Sequence, residues 1–135
     1  MNSFIKSAII ILGILISGNA IYAQSDFQNI RKLKVEMVLQ EMNLSKETEQ
    51  KFLPLYNTYS DEVLALKRKI KELDKSNIDA QTKINKRQQY KEDILNVEKR
   101  YKEKFLKIIT PQQLEEMHKG EDEFRKVLLE KRNRK

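Results

Sequence analysis

The apolar positions of this chain recur at helical spacing along most of its length. From about Asp26 to Met42, residues Phe27, Ile30, Leu33 and Met37 fall three and four apart and share one face, which Val35, Val38 and Met42 widen. From about Lys46 to Asp74, Phe52, Tyr56, Tyr59, Val63, Leu66, Ile70 and Leu73 alternate steps of four and three, the pattern of a heptad seam. Leu53, Leu55 and Leu64 broaden that seam near its start. A third segment, Ala80 to Ile109, carries Ile84, Tyr90, Ile94, Val97, Tyr101, Phe105 and Ile108. A fourth, Pro111 to about Lys131, turns Leu114, Met117, Phe124 and Leu128 inward. The pattern predicts four helices.

The breaks between them carry the residues that end and start helices. Asn43 can terminate the first helix, and Ser45 is a good N-cap for the second. The run Asp74 to Gln81 collects Asp, Ser and Asn, which favour turns and caps over helix interiors. Helices two and three therefore meet there as a hairpin, each about 45 Å long at 1.5 Å per residue. Between Lys67 and Gln89 the apolar residues are Ile70, Leu73, Ile78, Ala80 and Ile84 alone. The hairpin tip can bury little, so it projects into solvent or is covered by another chain. An extended, thin assembly follows more naturally than a compact bundle.

The first 23 residues read differently. Lys6 precedes the apolar run Ala8–Ile16, and small residues lead to Ala23. This is the pattern of a secretory signal peptide, with cleavage after Ala23, export to the periplasm, and residues 24–135 as one all-α domain. The alternative is an uncleaved anchor, for which the apolar core is short against the roughly 20 residues of a bilayer span. The chain has no cysteine, which removes disulfides, thiolate metal sites and thiol nucleophiles. Beyond Gly13 and Gly18 the chain keeps only Gly120, Pro54 and Pro111 as turn formers, too few for a sheet protein. The formal charge of +7, or +6 without Lys6, suits acidic polypeptides or anionic lipid; export makes nucleic acid the least suitable partner. Solubility alone is the plain alternative.

"ITPQQL" (Ile109–Leu114) gathers the devices of a helix start. Thr110 is the N-cap, Pro111 falls at N1, Gln113 at N3 closes a capping box, and Ile109 and Leu114 form a hydrophobic staple. "LSKET" (Leu44–Thr48) repeats the idea with cap Ser45 and Thr48 at N3, a weaker reciprocal partner, and without a staple, because N4 is Glu49. Pro54 lies inside the second helix, where it removes one hydrogen bond and bends the axis.

Two copies of an L-T-x-x-Q pattern in an exported helical chain resemble the Spy/CpxP family of periplasmic stress proteins, also called the LTXXQ-motif family. Ile109–Gln113 matches with Ile for Leu; Leu44–Thr48 matches with Ser for Thr and Thr48 for Gln. "KFLPLYNTY" (Lys51–Tyr59, with Phe52, Pro54, Tyr56 and Tyr59) and the closing "EDEFRKVLLEKRNRK" are similar to a Bacteroidetes-type branch. Members of that branch are often labelled sensors of extracytoplasmic-function sigma factors. The resemblance implies a thin, cradle-like antiparallel homodimer. It also implies ATP-independent chaperone activity, with unfolded or partly folded envelope proteins held on a basic concave surface.

A second function class is an envelope-stress adaptor that binds the periplasmic part of a membrane sensor or anti-sigma factor; a third is a purely structural coiled coil. The residues that carry the family signature are structural, and no client-binding residue is assigned.

Sharper chemistry finds little support in the sequence. Glu115 and His118 have the spacing of a di-iron bundle ligand pair, but His118 is the single histidine and a second such pair is missing. A solvent-facing or partly packed histidine accounts for it. Glu121, Asp122 and Glu123 are consecutive and diverge around a helix, as on a solvated face. Nothing places two carboxylates in a buried pocket, so no catalytic, metal or cofactor residue is expected. Tyr56, Tyr59, Tyr90 and Tyr101 suit core packing better than a client surface. The basic tail from Arg132 suits a helix C-terminus better than a lipid site.

Overall fold

The computed structural model describes residues 26–134. They form four helices with no strand among them: α1 (26–42), α2 (Lys46–Lys75), α3 (Ala80–Phe105) and α4 (Pro111–Asn133). The signal-peptide expectation falls on residues 1–23, outside the described residues.

Each helix start follows from its own residues. Asn43 takes φ 48° and its N–H donates to the Leu39 carbonyl at 3.1 Å, which closes the end of α1 in a left-handed cap. Asparagine tolerates that conformation better than most residues. Ser45 caps α2, accepting from the Thr48 N–H at 3.3 Å while its hydroxyl donates to Thr48 Oγ1 at 2.9 Å. Asp79 caps α3 through the Thr82 N–H at 2.9 Å, and this hydrogen bonding holds its carboxyl below the usual range. The capping box at α4 is complete: the Gln113 N–H donates to Thr110 Oγ1 at 3.1 Å, and the Thr110 N–H donates to Gln113 Oε1 at 3.0 Å. Helix α2 runs on through Pro54 without a break.

α2 and α3 form the hairpin, and its contacts fix an antiparallel register. Phe52 meets Phe105, Tyr59 meets Tyr101, Glu62 accepts from Tyr101 and Arg100, Lys69 lies over Tyr90, and Asp74 pairs with Arg87 at the tip. The Tyr101 hydroxyl donates to Glu62 at 2.5 Å, which ties the two helices at mid-length and pushes that hydroxyl's pKa up. Five rings, Phe52, Tyr56, Tyr59, Tyr101 and Phe105, touch in a continuous series with centroids 5.3–6.2 Å apart. Val38, Met42, Val63, Val97, Ile109 and Met117 complete the core around them.

That core sits at the end of the hairpin away from its tip. Beyond Val63, the buried residue of α2 is Leu73. Ile84, assigned from the sequence to the seam of α3, is 47% exposed, because no third helix among the described residues covers the tip. The seam of α3 becomes buried at Val97, Tyr101 and Phe105.

Two other expectations are corrected. The third helix does not reach Ile109. It ends at Phe105, and a tight turn follows in which the Ile108 and Ile109 N–H groups both donate to the Phe105 carbonyl at 2.8 Å. Pro111 forces Thr110 out of the helical region, to φ −78° and ψ 160°, so the chain must leave the helix before it. The inner face of α1 is also turned from the one predicted. Val38 and Met42 are buried at its centre, whereas Ile30 is 46% exposed.

The cause of that turn is Gly120. A Cβ at this position would lie 2.7 Å from the Val38 Cα and 3.2 Å from the Met37 carbonyl oxygen. α4 thus crosses α1 with backbone against backbone, and Val38 is the residue the crossing buries. A side chain at 120 cannot rotate away from a neighbouring backbone, so the helices must separate. Gly120→Ala gains up to about 1 kcal/mol of helix propensity. The overpacking outweighs it, for an expected net loss of about 2 kcal/mol in urea denaturation. Thr110→Ala removes only the cap and is expected to cost about 1 kcal/mol in the same measurement.

Candidate functional site

The α1–α4 crossing also shapes the surface beside it. α1, α2 and α4 enclose a cleft of about 260 Å³. Its walls are apolar: Phe27 and Ile30 from α1, Val63 and Leu64 from α2, Phe124 and Leu128 from α4. Its charged lining is Arg31, Lys34, Lys67 and Arg125 with Asp61 and Glu121. Lys34 and Glu121 offset each other inside, and Arg31, Lys67 and Arg125 against Asp61 leave the mouth positive.

One carboxylate organises the inner end of the cleft. Glu121, next to Gly120 on α4, accepts a hydrogen bond from the Tyr56 hydroxyl at 3.3 Å and lies 3.6 Å from Lys34 Nζ. His118 Nδ1 approaches its other oxygen at 3.3 Å. Lys34 donates in turn to Ser60 Oγ at 3.0 Å and sits 5.7 Å from the centre of the Tyr56 ring. Three helices are thereby joined through one group. Burial pulls the Lys34 ammonium below its usual pKa, and the Glu121 carboxylate opposes that pull. Burial, reinforced by Glu121, pushes the Tyr56 hydroxyl well up, so it remains a donor. Tyr59 is pushed up by burial as well. At the outer end Arg31 pairs with Asp61 at 3.1 Å, and the Arg68 guanidinium lies 5.0 Å from the centre of the Phe27 ring.

A second cleft, of about 210 Å³, lies between α3 and α4. Leu95, His118 and Leu114 line it together with Glu98, Lys99 and Lys102. Its lining is more polar, and its cations are exposed on a helix surface.

The signature residues found in the sequence are placed in the scaffold. Phe52, Tyr56, Tyr59 and Ile109 are buried in the core, and Leu44 and Leu114 pack against it. Ser45, Thr48, Thr110 and Gln113 make the caps described above. Pro54 and Pro111 are exposed on their helices. Tyr56 alone among them reaches the cleft, through its bond to Glu121. Both motif copies therefore anchor helix starts on one shared core. Tyr101 also belongs to that core, while Tyr90 is half-buried beside Lys69.

The cleft residues lie on three helices, from Phe27 to Leu128, and sequence spacing does not group them. One signal was available: Gly120 continues the inward stripe of Met117 and Phe124, where a small residue marks a close crossing. Among the described residues no group of three His, Cys, Asp or Glu is placed to hold a metal ion. His118 turns to Glu121, three residues on, rather than joining Glu115 in a ligand pair.

The His118 pair has a pH signature. Its hydrogen bond to Glu121 raises the histidine's pKa above the usual value. A raised folded pKa adds stability that is fully present below about pH 6.5 and is lost as the pH climbs through the folded value. The imidazole is half-exposed, so the increment is small, about a few tenths of a kcal/mol. Denaturation of the wild type and of His118→Gln at acidic and at mildly alkaline pH checks this. The wild type should hold an advantage on the acidic side that vanishes on the alkaline side.

Comparison of the chain with protein-family models, with curated proteins and with solved structures finds no match.

Proposed function

We propose that the chain is a periplasmic, ATP-independent chaperone of the Spy/CpxP-like kind. It would hold unfolded or partly folded envelope proteins until they fold. The observation that carries the reading is the cleft between α1, α2 and α4, with its apolar floor and positive rim. Such a site draws acidic, unfolded segments by charge and then grips one or two apolar side chains. Its volume lies below the usual range of about 300–1,000 Å³ for dedicated small-molecule sites. A shallow grip of this kind is weak, and weakness suits release without an energy source. In this reading the chain pairs as a thin antiparallel dimer, the two clefts face one concave side, and neither cofactor nor catalytic step is involved.

The rim would serve equally well against a single acidic partner, such as the periplasmic part of a membrane sensor or anti-sigma factor. The two readings differ in the breadth of what is bound. Aggregation of a heat-denatured client, followed by light scattering without ATP, should be suppressed at a few-fold molar excess of the protein. Leu64→Asp combined with Leu128→Asp should reduce that suppression severalfold while the helical melt persists. No suppression by the wild type, together with one stoichiometric membrane partner in a pull-down from envelope extract, would replace the chaperone reading by the adaptor.

A further inference from the structure

The positive charge of this chain is not spread over it. Residues 67–91, the tip of the hairpin, hold nine Lys and Arg against three Asp and Glu, a formal +6 of the chain's +7. Lys6 supplies the last unit, so the rest of the chain is balanced. The concentration is also ordered. Lys67, Lys71 and Lys75 stand four apart on α2; Lys83, Arg87 and Lys91 stand four apart on α3. Like charges at that spacing repel along a helix.

Little at the tip relieves this repulsion. Arg87 pairs with Asp74 at 2.6 Å, and Lys83 donates to the Ser76 carbonyl at 3.2 Å. Lys67, Lys71, Lys75, Lys86 and Lys91 make no ion pair among the described residues. Ile84 is 47% exposed at the same tip, and Ile78 is half-buried in its loop.

We infer that the hairpin tip is a docking surface for an anionic lipid bilayer. Neither cleft takes in any residue of the tip except Lys67, so neither gives the tip a groove for an extended acidic peptide. The tip also offers no stacking platform for bases, because Tyr90, its one aromatic residue, lies half-buried beneath the Lys69 ammonium. A flat, negatively charged surface fits a lysine-rich tip that also exposes Ile84. No helix among the described residues is long and apolar enough to cross a membrane, so the contact is one of lying against the surface. Docking by the tip would set the cleft, which borders the tip at Lys67, just back from the membrane surface. The inference is independent of what the cleft binds.

Vesicle co-sedimentation tests it. The chain from Gln24 keeps the whole core, whose buried residues run from Val38 to Met117, and circular dichroism checks that it is helical. Binding to phosphatidylethanolamine vesicles containing one-quarter phosphatidylglycerol should exceed binding to phosphatidylcholine vesicles by about tenfold or more, and should fall with salt. Lys71→Glu/Lys75→Glu/Lys86→Glu, and the milder Gln variants of the same lysines, should abolish most of that preference without altering the melt. Lys131→Glu/Arg132→Glu/Arg134→Glu makes the same charge change in the tail and should keep the preference. Equal loss in the tip and tail variants would overturn the proposal. So would tighter binding of polyglutamate or of a single-stranded oligonucleotide than of the anionic vesicles.

Discussion

The structure depends on the contact between Gly120 and Val38. Hairpins of α2 and α3 can form from the heptad seam alone, but a hairpin leaves one apolar side open. α1 and α4 close it, and they meet each other with no side chain between their backbones. That approach buries Val38 and sets Met42 and Met117 into the aromatic core. It also delivers Glu121, the residue after the glycine, to Tyr56 and Lys34. The cleft lies beside this crossing, with Phe27 and Ile30 of α1 and Phe124 and Leu128 of α4 in its lining.

The polar junction around Glu121 is a second consequence. A lysine and a carboxylate drawn partly out of water are costly unless each finds partners. Here Lys34 has Ser60 and Glu121, and Glu121 has Tyr56 and His118. The junction links Lys34 of α1, Tyr56 of α2 and Glu121 of α4 through one carboxylate.

Much of the fold was legible along the chain. Local chemistry writes helix starts in a few consecutive residues, and the caps at Ser45 and Thr110 form as their side chains dictate. The seam of α2 was legible too, because Phe52, Tyr56, Tyr59 and Val63 face the core wherever the partner helix lies. The face of α1 was not, since its rotation is set by a glycine some eighty positions away. The end of α3 was overrun because Phe105, Ile108 and Ile109 keep helical spacing through a turn that Pro111 imposes. The cleft has no local signature, since its walls come from three helices. The charged tip could be counted from the sequence, but its meaning needed the core to be seen gathered at the other end.

The molecule is a four-helix core from which a charged, thinly packed hairpin tip extends. Amide hydrogen exchange tests that division most directly. The amides of residues 34–42, 52–63, 97–105 and 114–124 should exchange together, through one cooperative opening, while those of 67–91 exchange much faster through local fraying. Slow exchange at the tip equal to that of the core, or independent release of α1 while α4 stays protected, would contradict it.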